Sequence, residues 1–305
     1  MNILVLGSTG LLGSKIRHHL EKTRGDSDEI FAPSRAELDL LNYEEIERYF
    51  KSRKPELIYH VAAKVFGIGG NLRNPTGAYF HNAQIDLNIL KASESLTHTH
   101  IVYAGTVASY GFPYKNFPLQ ESEAFDGEPH EAEYGYALAK RGTLSGLKLL
   151  EKQGHSFTYC LITNLFGPND NFDPENGHVI PSIVAKAHYA LENHSTLEIW
   201  GKSETTRDFL YSDDAASMIS ELGKMKFQGI INIASGIERS MKEITDVILS
   251  NFPGVQARWN SDKPVGIQRR SVDVSQLSKI GLLKISNFEQ SVRETVDSYR
   301  KEKHA

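Results

Sequence analysis

Short apolar runs alternate with longer amphipathic stretches through the first half of the chain. Residues 3–6, 29–32, 57–61, 101–104 and 157–162 are brief, rich in β-branched or aromatic side chains, and bounded by polar residues or glycine, which predicts buried strands. Between them, residues 11–23, 43–53, 76–95 and 136–153 repeat apolar side chains at helical spacing. Strands that take turns with helices of this length are joined by crossovers, which give a parallel sheet covered on both faces. The expected fold is α/β: a doubly wound parallel sheet of Rossmann type with a smaller C-terminal substrate-binding lobe.

The rhythm changes after Gly167. A loop-rich stretch over 167–178 is followed by a helix over 180–191, a strand over 197–200 and a polar loop through Arg207. A helix over 213–225, a strand over 230–234 and a helix over 241–251 come next. This places the doubly wound domain at 1–164, with 209–236 returning to its sheet, and a smaller second lobe at 165–208 and 237–305. The charged end, 300–305, is expected to fray.

Composition narrows the class. The 305 residues carry 34 Lys plus Arg against 38 Asp plus Glu, a net charge of −4, which argues against a nucleic-acid-coating surface or a polybasic membrane patch. No apolar run approaches the ~18 residues that span a bilayer. The N-terminus has no signal-peptide pattern, so a cytoplasmic location is expected. The lone cysteine, Cys160, cannot form an intrachain disulfide or a Cys-based zinc site. His18-His19 and His98-Thr-His100 lack carboxylate or thiol partners at ligand spacing, so no metal site is expected.

Gly7-Ser8-Thr9-Gly10-Leu11-Leu12-Gly13 falls between the first strand and the first helix. Glycines there permit a tight turn, close approach to a pyrophosphate and close helix–sheet packing, while the helix N-terminus offers free N–H groups. The spacing is GxxGxxG, an altered dinucleotide fingerprint. An NAD site places a carboxylate about 20 residues past such glycines. This chain has Pro33-Ser34-Arg35 instead, with no carboxylate before Glu37. A guanidinium fork beside a hydroxyl suits a 2′-phosphate, which favours NADP over NAD; the alternative is a solvated surface arginine. Leu38-Asp39-Leu40 suits the adenine side or an ordinary loop.

Tyr136-Ala-Leu-Ala-Lys140 sets a phenol and an ammonium on one helical face. The lysine is expected to lower the phenol's pKa and make it a usable proton donor to a carbonyl. The same spacing at Tyr299 and Lys303 is a chance occurrence in the tail. Upstream, the strand over 101–104 runs into Gly105-Thr106, a hydroxyl at the sheet's carboxyl edge. Thr106, Tyr136 and Lys140 make a proton-donating trio for reducing a ketone; a surface lysine on an ordinary amphipathic helix is the bland alternative.

With these motifs the chain resembles the extended short-chain dehydrogenase/reductases, and within them the GDP-L-fucose synthases. The likeness extends to Ser34-Arg-Ala-Glu-Leu-Asp-Leu40, His60-Val-Ala-Ala-Lys-Val-Phe-Gly-Ile68, Thr163-Asn-Leu-Phe-Gly-Pro-Asn-Asp-Asn-Phe172, Gly177-His-Val-Ile-Pro181, Trp200-Gly201, Arg207-Asp-Phe-Leu-Tyr-Ser-Asp-Asp214 and Asn232-Ile-Ala-Ser-Gly236. It implies an NADPH-dependent enzyme acting on a GDP-4-keto-6-deoxy sugar, with Thr106 as the catalytic hydroxyl. The cofactor would meet Gly7, Thr9, Gly10, Leu11, Leu12, Gly13, Ser34, Arg35, Asp39, Leu40, Ala62, Ala63, Lys140, Asn164 and His178. Asn164 and His178 would also line the substrate pocket, and Lys186, Trp200 and Arg207 would face the GDP portion. Arg269-Arg270 either adds to the phosphate side through Arg269 or is a solvated pair. The helices over 76–95 and 136–153 resemble those that pair two subunits, which implies a homodimer.

One departure stands out. Fucose synthases also epimerise C3 and C5 with a Cys and a His, and the Cys position aligns with Ala108, whereas His178 is kept. Alanine cannot take a proton, and neighbouring Ser109 is a poor base. The expectation is therefore a C4-ketoreductase with little or no epimerisation. The alternatives are a complete epimerase/reductase with another residue in place of the Cys and, in a different class, a non-catalytic dinucleotide sensor.

Overall fold

Residues 3–6 read as a continuous apolar run because β1 (Asn2–Leu6) is covered on both faces in the computed structural model, which describes residues 1–65, 68–261 and 266–304. After it come α1 (Leu11–Thr23), β2 (Glu29–Phe31), α2 (Tyr43–Arg53), β3 (Leu57–His60), α3 (Ile68–Arg73), α4 (Pro75–Ser93), β4 (His100–Thr106), α5 (Tyr134–Glu151) and β5 (Ser156–Ile162). The second half contributes β6 (Asn164–Phe166), α6 (Val179–Glu192), β7 (Leu197–Trp200), β8 (Thr206–Tyr211), α7 (Ser212–Lys224), β9 (Gly229–Ile233) and β10 (Glu238–Ser240). It ends with α8 (Met241–Leu249), β11 (Ala257–Asn260), β12 (Arg269–Arg270), α9 (Ser275–Lys279) and α10 (Phe288–His304).

Six parallel strands form the main sheet in the order β2-β1-β3-β4-β5-β9. Alternation sorts each strand between two cores. Leu4, Leu6, Ile58, Ile101, Tyr103 and Tyr159 pack under α2, α4 and α5 with Phe50, Ile89 and Leu147. Ile3, Val5, Tyr59, Val102 and Cys160 pack against Ile16 and Leu20 of α1 and Ile219 and Leu222 of α7. This is the doubly wound α/β arrangement that the alternating pattern predicts.

A third core joins α6, α8 and α10 to β7 and β8 through Val184, Ile199, Phe209, Ile248 and Val292. Strand β8 pairs with β10 antiparallel and with β6 and β12 parallel, and β7 pairs with β11. Two expectations are corrected here. Arg207 is in β8 rather than a loop. The charged end over 300–304 is helical rather than irregular, because α10 continues to His304. Phe288, Val292, Val296 and Tyr299 make a buried stripe on that helix, so Tyr299 is a core residue stacked near Phe172 and His188.

Candidate active site

The chain leaves β1 toward β2 on one side and β3 on the other, so the carboxyl ends of the strands open a crevice there. A cleft of about 540 Å³ occupies it and continues toward α6 and β8. Gly7, Gly10, Leu11, Leu12 and Gly13 line one end, with Val61 and Ala63 from the segment after β3. Phe66 and Gly67 of the neighbouring motif lie outside the described residues.

The glycines are required sterically. Gly7 has φ +86°, and a Cβ there would come within 2.7 Å of the Ala62 nitrogen. A Cβ on Gly13 would meet the Gly7 carbonyl oxygen at 2.0 Å. Gly10 has room and caps α1 without any side-chain hydrogen bond, and no acidic residue stands in the first turn. The free N–H groups and positive end of α1 therefore face the cleft and suit a pyrophosphate. Ser8 ties this turn to the end of β2: its buried hydroxyl lies 3.0 Å from the Ala32 and Pro33 carbonyls.

That tie brings the next residues, Ser34 and exposed Arg35, beside the glycine turn. Ser34 donates both its N–H and its hydroxyl to Glu37, at 2.8 and 2.7 Å, so its proton is committed to that carboxylate. Asp39 accepts from the Leu41 N–H, and the Leu40 carbonyl accepts from Asn88. Thr9 is exposed and Ala62 half-buried beside the same turn.

At the centre of the cleft, Thr106 ends β4 and Tyr136 lies in the first turn of α5. Thr106 Oγ1 accepts the Ala108 N–H at 3.1 Å, which leaves the hydroxyl proton for a ligand. Lys140 is one turn further along α5 and fully buried, its Nζ 5.9 Å from the Tyr136 ring centre and 3.9 Å from Asp86. The expected lowering of the phenol's pKa is not found. Burial, then the carboxylates of Asp86 and Glu133, push Tyr136 up, because the nearby Asp86 offsets the ammonium's field. The phenol is held in its proton-donating form.

Ala108 lines the cleft, whereas Ser109 is fully buried and is not among the described wall residues. Asn164 and His178 also line it. Asn164 donates to the Asp208 carbonyl at 2.9 Å. His178 Nδ1 lies 3.2 Å from buried Asp170; burial works against the imidazolium, but this carboxylate raises the histidine above its usual pKa.

Lys186 and Trp200 stand together in the far wall, the ammonium 4.8 Å from the indole ring. Arg207 lines the same end and donates to its neighbour's carbonyl at 2.7 Å. Burial, then the adjacent Arg270, push its pKa down to about 10. Arg270 is buried against Glu133 and Tyr114; burial opposes its charge, but Glu133 keeps it firmly protonated. Two guanidinium groups with one carboxylate leave surplus positive charge facing the cleft. Arg269 is not among the described wall residues: it pairs outside with Glu238 at 2.8 Å and covers Phe117.

The model of the NAD dependent epimerase/dehydratase family matches residues 3–234. The chain belongs to that family. Among its relatives, GDP-L-colitose synthase of Yersinia pseudotuberculosis is 31% identical over 100% of this chain and 99% of its own length. GDP-L-fucose synthase of Escherichia coli is 30% identical over 92% and 90%. The fold matches a GDP-L-fucose synthetase from Naegleria fowleri bound to NADP, with TM-score 0.90 and 24% identity over 100% of this chain and 94% of that one. It also matches a GDP-mannoheptose C4 reductase from Campylobacter jejuni, with TM-score 0.83 and 24% identity over 98% of each.

Within this epimerase/dehydratase member, five contributors are not singled out by the sequence alone. Ser8 stands inside the glycine motif, and a hydroxyl beside such a turn is its signal. Asp86 and Glu133 reach their partners only through tertiary contact, and Arg270 was indistinguishable from Arg269 without a strand assignment. Asp170 stood in the quoted Gly-Pro-Asn-Asp run, eight residues before the histidine it supports.

Proposed function

We propose that the protein is an NADPH-dependent reductase of the C4 ketone of a GDP-4-keto-6-deoxy sugar, a hexose or a 6-deoxyheptose, with little or no C3/C5 epimerisation. The observation that carries the reading is the meeting of Thr106, Tyr136 and Ala108 in one cleft with the glycine turn. When bound, the nicotinamide supplies hydride. The turn at Gly7–Gly13 and the start of α1 hold the pyrophosphate, and Arg35 holds the 2′-phosphate. Thr106 donates to the ketone oxygen, neutral Tyr136 gives that oxygen its proton, and Lys140 stabilises the phenolate left behind. Arg207, with Arg270 behind it, takes the diphosphate, and Lys186 with Trp200 takes the nucleoside end.

The relatives' names support a GDP-linked sugar, and the trio argues against a non-catalytic sensor. Intact support of His178 by Asp170 favours, as the second reading, a bifunctional 3,5-epimerase/4-reductase. Homodimerisation belongs to the same proposal: Phe80 and Leu87 on α4 and Leu149 on α5 are large apolar side chains at 60–67% exposure. The test is incubation of the protein and GDP-4-keto-6-deoxymannose with NADPH carrying deuterium at C4 of the nicotinamide. A single deuterium at the sugar's C4 in the product NMR spectrum is expected; an undiminished ketone refutes the reading.

A further inference from the structure

Behind Tyr136 and Lys140 lies a polar cluster that the proposed reduction leaves without a task. Asp86, on α4, is 2% exposed, and three donors converge on it. His60 Nε2 reaches Oδ1 at 2.7 Å, while the hydroxyls of Tyr103 and Thr143 reach Oδ2 at 2.5 and 2.8 Å. Lys140 Nζ lies 3.9 Å from the same Oδ2 and 4.6 Å from the Tyr103 ring centre, and it has no hydrogen-bond partner among the described residues.

We infer that Asp86 is the counter-ion that keeps Lys140 charged: a positioning residue that acts through the lysine and does not touch substrate. Its kinetic consequence rests on the proposed reduction. A buried ammonium is poorly solvated and tends to lose its proton unless an opposite charge stands near it. His60 on β3, Tyr103 on β4, Tyr159 on β5 and Tyr136 on α5 face this pair, and burial holds each of them neutral. Neutral His60 carries its proton on Nε2 toward Asp86, which leaves its buried Nδ1 unpartnered. Glu133, facing Tyr136 from the turn before α5, stays ionised but is engaged in an ion pair with Arg270. Asp86 is therefore the carboxylate beside Lys140 that is not already paired with an arginine. Burial opposes its charge, yet Lys140, His60 and Tyr103 hold its carboxyl below the usual range.

Reduction needs Tyr136 protonated and Lys140 charged. Removing the carboxylate lowers the proton affinity of both, so the two effects move the alkaline limb of the rate profile in the same direction. The test pairs the pH dependence of kcat for NADPH-driven reduction of GDP-4-keto-6-deoxymannose with a substrate-free ¹³C NMR titration of the lysine Cε carbons, assigned through Lys140→Met.

Asp86→Asn should move both the alkaline limb and the Lys140 titration down by about one pH unit or more, a tenfold change in the proton equilibrium, with KM nearly unchanged. Asp86→Glu should restore both. A folded Asp86→Asn protein that melts earlier but shows neither movement overturns the inference and leaves Asp86 a structural residue. Should that variant not fold, Tyr103→Phe keeps the ring and frees Oδ2 of one donor. The Lys140 titration should then rise by about half a unit, and no rise overturns the inference. A parent protein that reduces no keto sugar while Asp86→Asn still lowers the Lys140 titration refutes the proposed function and upholds the counter-ion.

Discussion

Thr106 Oγ1 accepts the Ala108 N–H at 3.1 Å, so one short turn at the end of β4 sets both the orientation of a hydroxyl and the placement of a methyl group in the cleft. The amide occupies an acceptor site of the oxygen and leaves its proton for a carbonyl. Thr106→Ala should lower kcat for reduction by about 10²-fold, the usual loss when one donor to a developing oxyanion is removed, and Thr106→Ser should retain most of the rate. Steady-state kinetics with NADPH and the keto sugar decide it. Equal rates for the alanine variant and the parent would strike Thr106 from the reaction.

Burial, Asp86 and Glu133 hold the proton on Tyr136, so in the proposed reaction it would meet the ketone as a neutral phenol. Tyr136→Phe removes that proton and little else. Turnover should fall by about 10²–10⁴-fold, while the NADPH dissociation constant from fluorescence titration stays close to the parent's. Turnover within tenfold of the parent would mean another donor.

Arg35 is exposed beside the glycine turn, where the hydroxyl of Ser34 is already committed to Glu37. In the proposed reading the guanidinium is then the main group for a 2′-phosphate. Arg35→Ala should weaken NADPH binding by about 1.5–3 kcal/mol and leave NADH binding nearly unchanged. Isothermal titration with both cofactors makes the comparison. An equal loss for the two would send the 2′-phosphate elsewhere.

The sheet was legible because strands buried on both faces are apolar without interruption, and the Tyr136–Lys140 pair was legible because its spacing is local. What stayed hidden depends on distant partners. β8 begins Thr-Arg-Asp, which reads as a polar loop. Asp208 is buried there only because the Ser235 and Gly236 amides, from the turn after β9, donate to its carboxylate. α10 is polar on average, and its buried stripe emerges only against α6 and α8. Arg269 and Arg270 sit side by side on β12, and period-2 alternation sends one outward and one into the wall, a choice that neighbouring identical residues cannot reveal.

Arg270 and Arg207 share one carboxylate, Glu133, at the cleft wall. Taking that carboxylate away leaves two neighbouring cations in a poorly solvated site. Glu133→Gln should cost about 3–5 kcal/mol of folding stability, the usual penalty for breaking a buried pair from one side. Urea denaturation at neutral pH measures it. A loss below about 1 kcal/mol would show that water screens the pair as it does on a surface.

Epimerisation beside a ketone needs a base on one face of the sugar ring and an acid on the other. Ala108 offers a methyl group to the cleft, and Ser109 cannot substitute for a base because it is fully buried away from the described wall. His178 retains its support from Asp170, which raises its pKa; in the proposed reading it is a proton donor without a base opposite. In D₂O the unaltered protein should reduce the ketone with no, or very slow, deuterium uptake at C3 and C5 and with the ring configuration retained. His178→Asn should affect reduction modestly, through positioning. Ala108→Cys should gain exchange only while His178 is present, since a thiol of ordinary pKa near 8.5 supplies the missing base and the imidazolium the acid. Rapid uptake at both carbons by the unaltered protein would identify a base other than residue 108 and make the bifunctional epimerase/reductase the correct reading.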